Sequence, residues 1–237
     1  MSSPDDDPIL TTRDAAQLLG VAVSTVQLWM ESGALTAWKT PGGHRRVRLS
    51  AVLALRQQRG APEPDGHDTA YKRQVAAHYP VAEDESLRLA ALAETRLLDT
   101  PPEEVFDRVA RLAAQVTECP IALITLLTTQ RQWFKARVGV DLTETPREWS
   151  FCSHALAEGK TFVVGDASND PRFAANPLVV GAPHVRFYAG VPLEDGAGRL
   201  LGTLCVIDRE PRRLRERELR ALRELAAIAS DEIKRRR

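Results

Sequence analysis

The feature that most constrains this chain is the punctuation between residues 9 and 59, which leaves room only for short, separately capped elements. Thr11 is placed to cap a helix, with Asp14 three residues on to close a capping box. Ala15, Ala16, Leu18 and Leu19 then form one apolar face, and Gly20 ends the run. Beyond Gly20-Val21-Ala22-Val23, Ser24 and Gln27 repeat the box signature and predict a second helix. Val26, Trp29 and Met30 would face a small core, with Thr25, Gln27, Leu28 and Glu31 outward and Gly33 as the stop. Two extended segments over 35–39 and 44–49 follow, joined through Pro41-Gly42-Gly43 as a hairpin tip. A third helix over 50–59 would set Val52, Leu53 and Leu55 beneath them.

Charge sharpens this reading. The formal net charge of the 237 residues is zero, which by itself argues against a nucleic-acid partner. Residues 9–59, however, hold Arg13, Lys39, Arg45, Arg46, Arg48, Arg56 and Arg59 against only Asp14 and Glu31. Asymmetry between segments says more than the sum. Cations crowded on a thin hairpin repel one another unless an anion lies alongside, and a phosphate backbone supplies one.

These residues resemble the MerR/excisionase-type winged helix-turn-helix. The likeness runs through Leu10-Thr11-Thr12-Arg13-Asp14-Ala15-Ala16-Gln17-Leu18-Leu19-Gly20-Val21, Ser24-Thr25-Val26, Trp29, Gly33, Leu35 and Gly42-Gly43-His44-Arg45-Arg46. It implies double-stranded DNA as partner, with the second helix in the major groove and the wing on phosphates. Ser24, Thr25 and Gln27 would then approach bases or phosphate, and Arg13, Lys39, His44, Arg45 and Arg46 would hold the backbone. Full-length MerR regulators follow this unit with a long dimerisation helix; none is predicted here, so a second copy must be recruited differently.

Residues 60–82 open with Gly60-Ala61-Pro62-Glu63-Pro64-Asp65-Gly66, which reads as a tether. Residues 83–237 are large enough for a second domain. Helices are predicted over 87–98, 103–117 and 213–234, and strands over 121–127, 132–138, 186–192 and 200–208. Along 132–138, alternation assigns Trp133, Lys135 and Arg137 to one face and Phe134, Ala136 and Val138 to the other. Helices flanking an antiparallel sheet make the fold class α+β. The last helix carries Leu219, Leu222, Ala226, Ala229 and Ile233 at three-four spacing, a stripe that suits its own sheet or a second copy.

This second region resembles a GAF domain, a relative of the PAS fold. The residues that carry the likeness include Trp133-Phe134-Lys135, Phe151-Cys152-Ser153-His154-Ala155, Asp170-Pro171-Arg172-Phe173, Arg186-Phe187-Tyr188-Ala189-Gly190-Val191-Pro192-Leu193 and Gly202-Thr203-Leu204-Cys205-Val206-Ile207-Asp208. The resemblance implies a six-stranded sheet with a cavity under variable loops, and a homodimer. Trp133, Phe151, Cys152, His154, Phe173, Arg186 and Tyr188 are the candidate ligand-binding wall, suited to a small polar aromatic or anionic ligand. The competing reading makes the same aromatics core. Ser153 interrupts the Cys-His dipeptide by which bilin-binding relatives attach chromophore, and the cyclic-nucleotide signature is absent, so no cofactor is assigned.

Cys119, Cys152 and Cys205 are widely spaced, with no Cys-x-x-Cys pair for a structural metal. Cys152 near a helix start is either a low-pKa redox-sensitive thiol or packing. The N-terminus lacks a signal peptide pattern and no apolar run reaches the ~18–20 residues of a membrane span, so a cytoplasmic protein is expected. The function these readings support is a non-enzymatic DNA-binding regulator whose second domain dimerises and answers to a small-molecule or redox signal. An architectural DNA binder of excisionase type and a redox-active GAF protein with accessory DNA binding are the alternatives.

Overall fold

Short capped elements and a longer alternating region produce two separate units, 1–66 and 67–237, in a computed structural model. The structure describes residues 7–19, 21, 23–40, 42–58, 71, 79–82 and 84–236. The predicted stop at Gly20, the hairpin residue Pro41 and most of the tether lie outside the described residues.

In the first unit, strand β1 (Ile9–Thr11) leads into helix α1 (Thr12–Leu19), and α2 (Val23–Glu31) follows. The Thr11 backbone N–H donates to Asp14 Oδ2 at 2.9 Å, and the Asp14 N–H donates to Thr11 Oγ1 at 3.2 Å. That reciprocal pair is the capping box predicted from sequence. The second box does not form as predicted, because α2 begins at Val23 and Ser24 is already its second residue. Strands β2 (Ala37–Lys39) and β3 (Arg45–Arg48) make the hairpin, closed by Thr40 N–H to His44 O, with Gly43 at φ +79°. β1 adds to β3, giving a three-stranded sheet of order β1-β3-β2 that sequence reading missed. Helix α3 (Leu49–Gln58) completes the unit.

The core here is Ala15, Ala16, Leu19, Val26, Leu28, Trp29, Leu35, Val47, Val52 and Leu55. Leu18 and Leu53, predicted inward, are about two-fifths exposed, since each is turned roughly 100° from its buried neighbour. Thr25 and Leu28, predicted outward, are buried at 2% and 5%. With Trp29 they form a stripe at three-four spacing, so α2 buries a broader face than its Val26-Trp29-Met30 pattern implies.

The second unit is built on α4 (Glu85–Thr95), α5 (Glu104–Thr117) and a six-stranded antiparallel sheet. Its strands are β4 (Ile121–Leu127), β5 (Arg131–Val138), β6 (Glu144–Pro146), β7 (Phe162–Val164), β8 (Phe187–Glu194) and β9 (Leu200–Asp208). Their order is β6-β5-β4-β9-β8-β7, with central strands buried on both sides. A 3-10 turn (Arg147–Trp149), α6 (Cys152–Glu158) and α7 (Pro177–Val180) fall between strands, and α8 (Glu216–Lys234) ends the unit.

The sheet has two unlike faces. Ala122, Ile124, Leu126, Ala189, Val191, Leu204 and Val206 pack on Phe106, Val109, Ala113, Leu222, Ala226, Ala229 and Ile233 of α5 and α8. The predicted α8 stripe is thus largely spent on its own sheet, while Ile228 stays 51% exposed. On the opposite face, Leu123, Leu127, Phe134, Tyr188 and Cys205 meet Phe151, Cys152, Ala155, Phe173 and Val179. A register shift between Ile124 and Thr125 leaves Lys135 as an extra residue in β5. Such a bulge resets alternation, so Trp133 and Ala136 share the α5/α8 face, against the strict period of two read from sequence.

Candidate functional site

Two sets of residues could carry function, one in each unit. In the first, the exposed surface of α2 and the hairpin are tied together: Arg45 of β3 forms a 2.6 Å ion pair with Glu31 at the end of α2. Gln27, Lys39 and His44 are exposed, as is Arg13 on α1. Ser24, Arg45 and Arg46 are partly exposed. Arg46 also donates to the Arg45 carbonyl at 2.9 Å, which holds its guanidinium along the strand. Arg48 stands 6.0 Å from the exposed ring of Trp38. Thr25 does not belong to this surface; its side chain is enclosed, and its hydroxyl has no hydrogen-bond partner.

In the second unit, the candidate wall resolves into a packed cluster, one outlier and one bracket. Phe151 stacks on Phe173 at 4.0 Å between ring centroids and on Tyr188 at 5.2 Å. His154 stands edge-on to Phe173 at 4.8 Å and stacks on Phe162. Arg172 closes over Phe162 and Phe173 at 4.9 and 5.4 Å. The rings fill the space between α6 and the sheet with one another. Trp133 is the outlier, carried by the β5 bulge to the other face of the sheet. Arg186 is the bracket: it donates to the Val179 and Val185 carbonyls at 2.9 and 3.0 Å, fixing the loop after α7.

At the base of the ring stack lies a polar island that sequence reading only half found. Cys152 Sγ, 1% exposed, accepts hydrogen bonds from Thr203 at 3.0 Å, Tyr188 at 3.2 Å and Thr125 at 3.6 Å. Cys205 lies on the same face of β9 as Thr203, opposite Gly190 and in the same buried cluster as Cys152. Burial works against ionising Cys152, but the donors from Cys205, Thr203, Tyr188 and Thr125 outweigh it and hold the thiol down to about 6. Cys205 moves the other way, well above the ordinary thiol value, because it gives its proton to Cys152 and is itself buried. Gly190 makes the arrangement possible: a Cβ there would stand 2.1 Å from the Tyr188 hydroxyl. Tyr188 therefore lies back along its own strand, and its oxygen reaches Cys152. The Ser153 hydroxyl beside it is buried without a partner. His154 is pushed below its ordinary value by partial burial and by Arg172.

A second buried polar group, wholly missed from sequence, ties α4 to the turn before α6. Glu85 accepts from Arg88 at 2.8 and 2.9 Å and from Arg147, with both arginines 1% exposed. Tyr79 covers Arg147 at 4.4 Å and donates to the Thr129 carbonyl. Burial would raise the Glu85 carboxyl, yet the two guanidiniums hold it at about 2. The i,i+3 pair Glu85/Arg88 was visible in the sequence; Arg147, 62 positions away, carried no signal. Among the described residues, no cluster of three or more His, Cys, Asp or Glu is arranged to hold a metal ion, and no helix is long and apolar enough to cross a membrane.

Comparison with known proteins agrees with this division. Residues 101–233 match the model of the GAF domain, and residues 9–60 match that of a helix-turn-helix domain. A cyclic di-GMP phosphodiesterase of Pseudomonas aeruginosa is 47% identical over 150 residues, which are 63% of this chain and 26% of that protein. The chain thus spans about a quarter of the length of that curated relative. Similar solved structures include a free methionine-R-sulfoxide reductase from Neisseria meningitidis, at 21% identity and TM-score 0.46, covering 70% of this chain and 98% of that one. The GAF domain of a phosphoenolpyruvate-protein phosphotransferase from Acinetobacter is 19% identical at TM-score 0.47, covering 62% and 92%.

Proposed function

Since the chain belongs to the GAF domain family and carries a helix-turn-helix domain ahead of its GAF domain, we propose that it is a DNA-binding transcriptional regulator of MerR-like, winged type. The observation that carries this reading is the Arg45–Glu31 bridge, which fixes a basic hairpin beside the helix that exposes Gln27. Arg13, Lys39, His44, Arg45 and Arg46 bind phosphates, while Ser24 and Gln27 face the groove. Thr25 acts by packing α2.

The GAF domain is the signal-responsive and dimerising part, and it is not an enzyme. Pairing through the exposed Ile228 side of α8 brings two readers together, raising their effective concentration on paired half-sites. The Pseudomonas relative supports the sensor role. A 150-residue match within 237 residues must enter the GAF domain, yet it occupies only 26% of a protein named for phosphodiesterase activity. The shared part is then a unit that serves different outputs.

Measuring binding to duplex DNA against salt concentration tests the reader. The Arg45→Ala/Arg46→Ala double variant should bind all sequences more weakly and lose about 1–2 from the slope of log affinity against log salt. Gln27→Ala should instead alter sequence preference, at about 1–3 kcal/mol for the affected base pair. A wild-type slope in the double variant would remove the phosphate assignment.

A further inference from the structure

The sensor reading says that the GAF domain answers to a signal; the polar island under α6 names a chemistry for it. We propose that Cys152 and Cys205 are a modification site, a dithiol that hydroperoxides convert to an intramolecular disulfide. The inference rests on the sensor reading and not on DNA binding.

Three features carry it. First, the two thiols share one buried cluster. The Tyr188 hydroxyl, 3.2 Å from Cys152 Sγ, lies over Gly190, which pairs with Cys205 across β8 and β9. Cys152, the first residue of α6, also touches Thr203, two residues before Cys205 on the same face of β9. Second, the donors around Cys152 are arranged for a charged sulfur: Thr203, Tyr188 and Thr125 all direct hydroxyls at one atom. An inert packed cysteine has no use for three hydroxyl donors, and the bare Cα of Gly190 that admits the Tyr188 phenol serves the same arrangement. Third, Ser153 brings an unpartnered buried hydroxyl to the same turn, a spare polar group where polar oxygen must enter.

The reaction balances without any group beyond the peroxide. The Cys152 thiolate attacks one peroxide oxygen, the O–O bond breaks, and the departing alkoxide takes the proton that Cys152 released. This yields a sulfenic acid and an alcohol, or water from hydrogen peroxide itself. The Cys205 sulfur then attacks the sulfenic sulfur and water leaves, its second proton coming from the Cys205 thiol. Two thiols are oxidised and one hydroperoxide is reduced. Closing the two sulfurs to about 2.05 Å draws the start of α6 onto β9 and breaks the hydroxyl contacts to Cys152. Both thiols are enclosed, so oxidation waits on local opening of α6, a helix of only seven residues. Cys119 is apart, its thiol pushed up by burial and its sulfur contacted by Arg212 at 3.3 Å.

The test uses the full chain and no DNA. Protein treated with hydrogen peroxide, then alkylated and digested without reductant, should yield a Cys152–Cys205-linked peptide that dithiothreitol removes. Cys119→Ser should give the same link, and Cys205→Ser should let dimedone trap a sulfenic acid on Cys152. Overoxidised Cys152 beside a free Cys205 in the untouched protein would overturn the proposal, as would three unmodified thiols at millimolar peroxide. The wild-type digest decides the matter even where a variant fails to fold. The same link, with duplex-DNA binding measured separately and unchanged between the two redox states, would uphold the site and overturn the sensor reading instead.

Discussion

The two faces of the six-stranded sheet come from the same strands, yet one is lined by apolar side chains and the other gathers hydroxyls and thiols. Toward α5 and α8, alternate residues of β4, β8 and β9 are Ala, Val, Ile, Leu and Phe, packed on helical apolar stripes. Toward α6, the intervening positions include Thr125, Tyr188, Thr203 and Cys205, which gather on Cys152. An apolar face carries no titrating group and stabilises without regard to pH. A face that buries titratable groups stabilises only while their protons are correctly placed. The difference assigns scaffold work to one face and responsiveness to the other.

The largest expected effect breaks the scaffold and spares the chemistry. Phe106→Ala removes a ring that is 1% exposed and carries Lys135 and Arg236 over it at 5.6 and 5.3 Å. Phe→Ala in a core costs about 3–5 kcal/mol, and at roughly 2–4 °C per kcal/mol for a unit of this size the melting temperature should fall by roughly 10 °C. Calorimetry measures this, and the thiol titration of the variant below its transition should match the wild type. Tyr188→Phe does the converse. It keeps the ring stack, costs about 1–2 kcal/mol for one buried hydrogen bond, and should move the Cys152 thiol upward, read as slower alkylation at pH 7. Equal rates would mean that the hydroxyl does not govern the sulfur.

Stability against pH sharpens the same contrast. Cys152 is held at about 6 when folded and returns toward 9.0 when unfolded, so the unfolded chain binds more protons between these values. Folding stability should therefore rise from about pH 6 toward 9, its Cys152 contribution being fully present above 9 and lost as pH falls through 6. Above 9 Cys205 acts oppositely, staying protonated in the fold while it ionises in the unfolded chain. Denaturant midpoints of Cys152→Ser across this range should lack the rise. If the variant follows the wild type, the donors do not stabilise a thiolate.

How much of this was legible follows from range. Apolar runs such as Ile121–Leu127 and Leu200–Asp208 announced themselves, and the Thr11/Asp14 box needs only three residues of context. The three-residue strands β6 and β7 are too short for periodicity to register, and the β5 bulge changed faces in mid-strand, which misplaced Trp133. Cys152, Phe151, His154, Phe173 and Tyr188 were grouped by resemblance, and packing does bring them together. The hydroxyls of Thr125 and Thr203, 78 positions apart, meet only because β4 and β9 pair antiparallel. Glu85 and Arg147 are likewise joined by the fold alone.

The smallest effect concerns the reader, where burial overturned a sequence expectation. Thr25 is 2% exposed, and its hydroxyl was desolvated on folding without gaining a partner. Its methyl group packs, but the oxygen is a cost of about 1–3 kcal/mol in a site that offers it nothing. Thr25→Val keeps the shape and removes that oxygen, while the poorer hydration of valine favours burial. The first unit should therefore gain about 1 kcal/mol, seen as a raised denaturant midpoint at unchanged slope, with DNA sequence preference the same as the wild type. A changed preference would return Thr25 to the reading side of α2. Set beside Gln27→Ala, which should leave stability nearly unaltered and shift preference, the pair divides α2 into a packing side and a reading side.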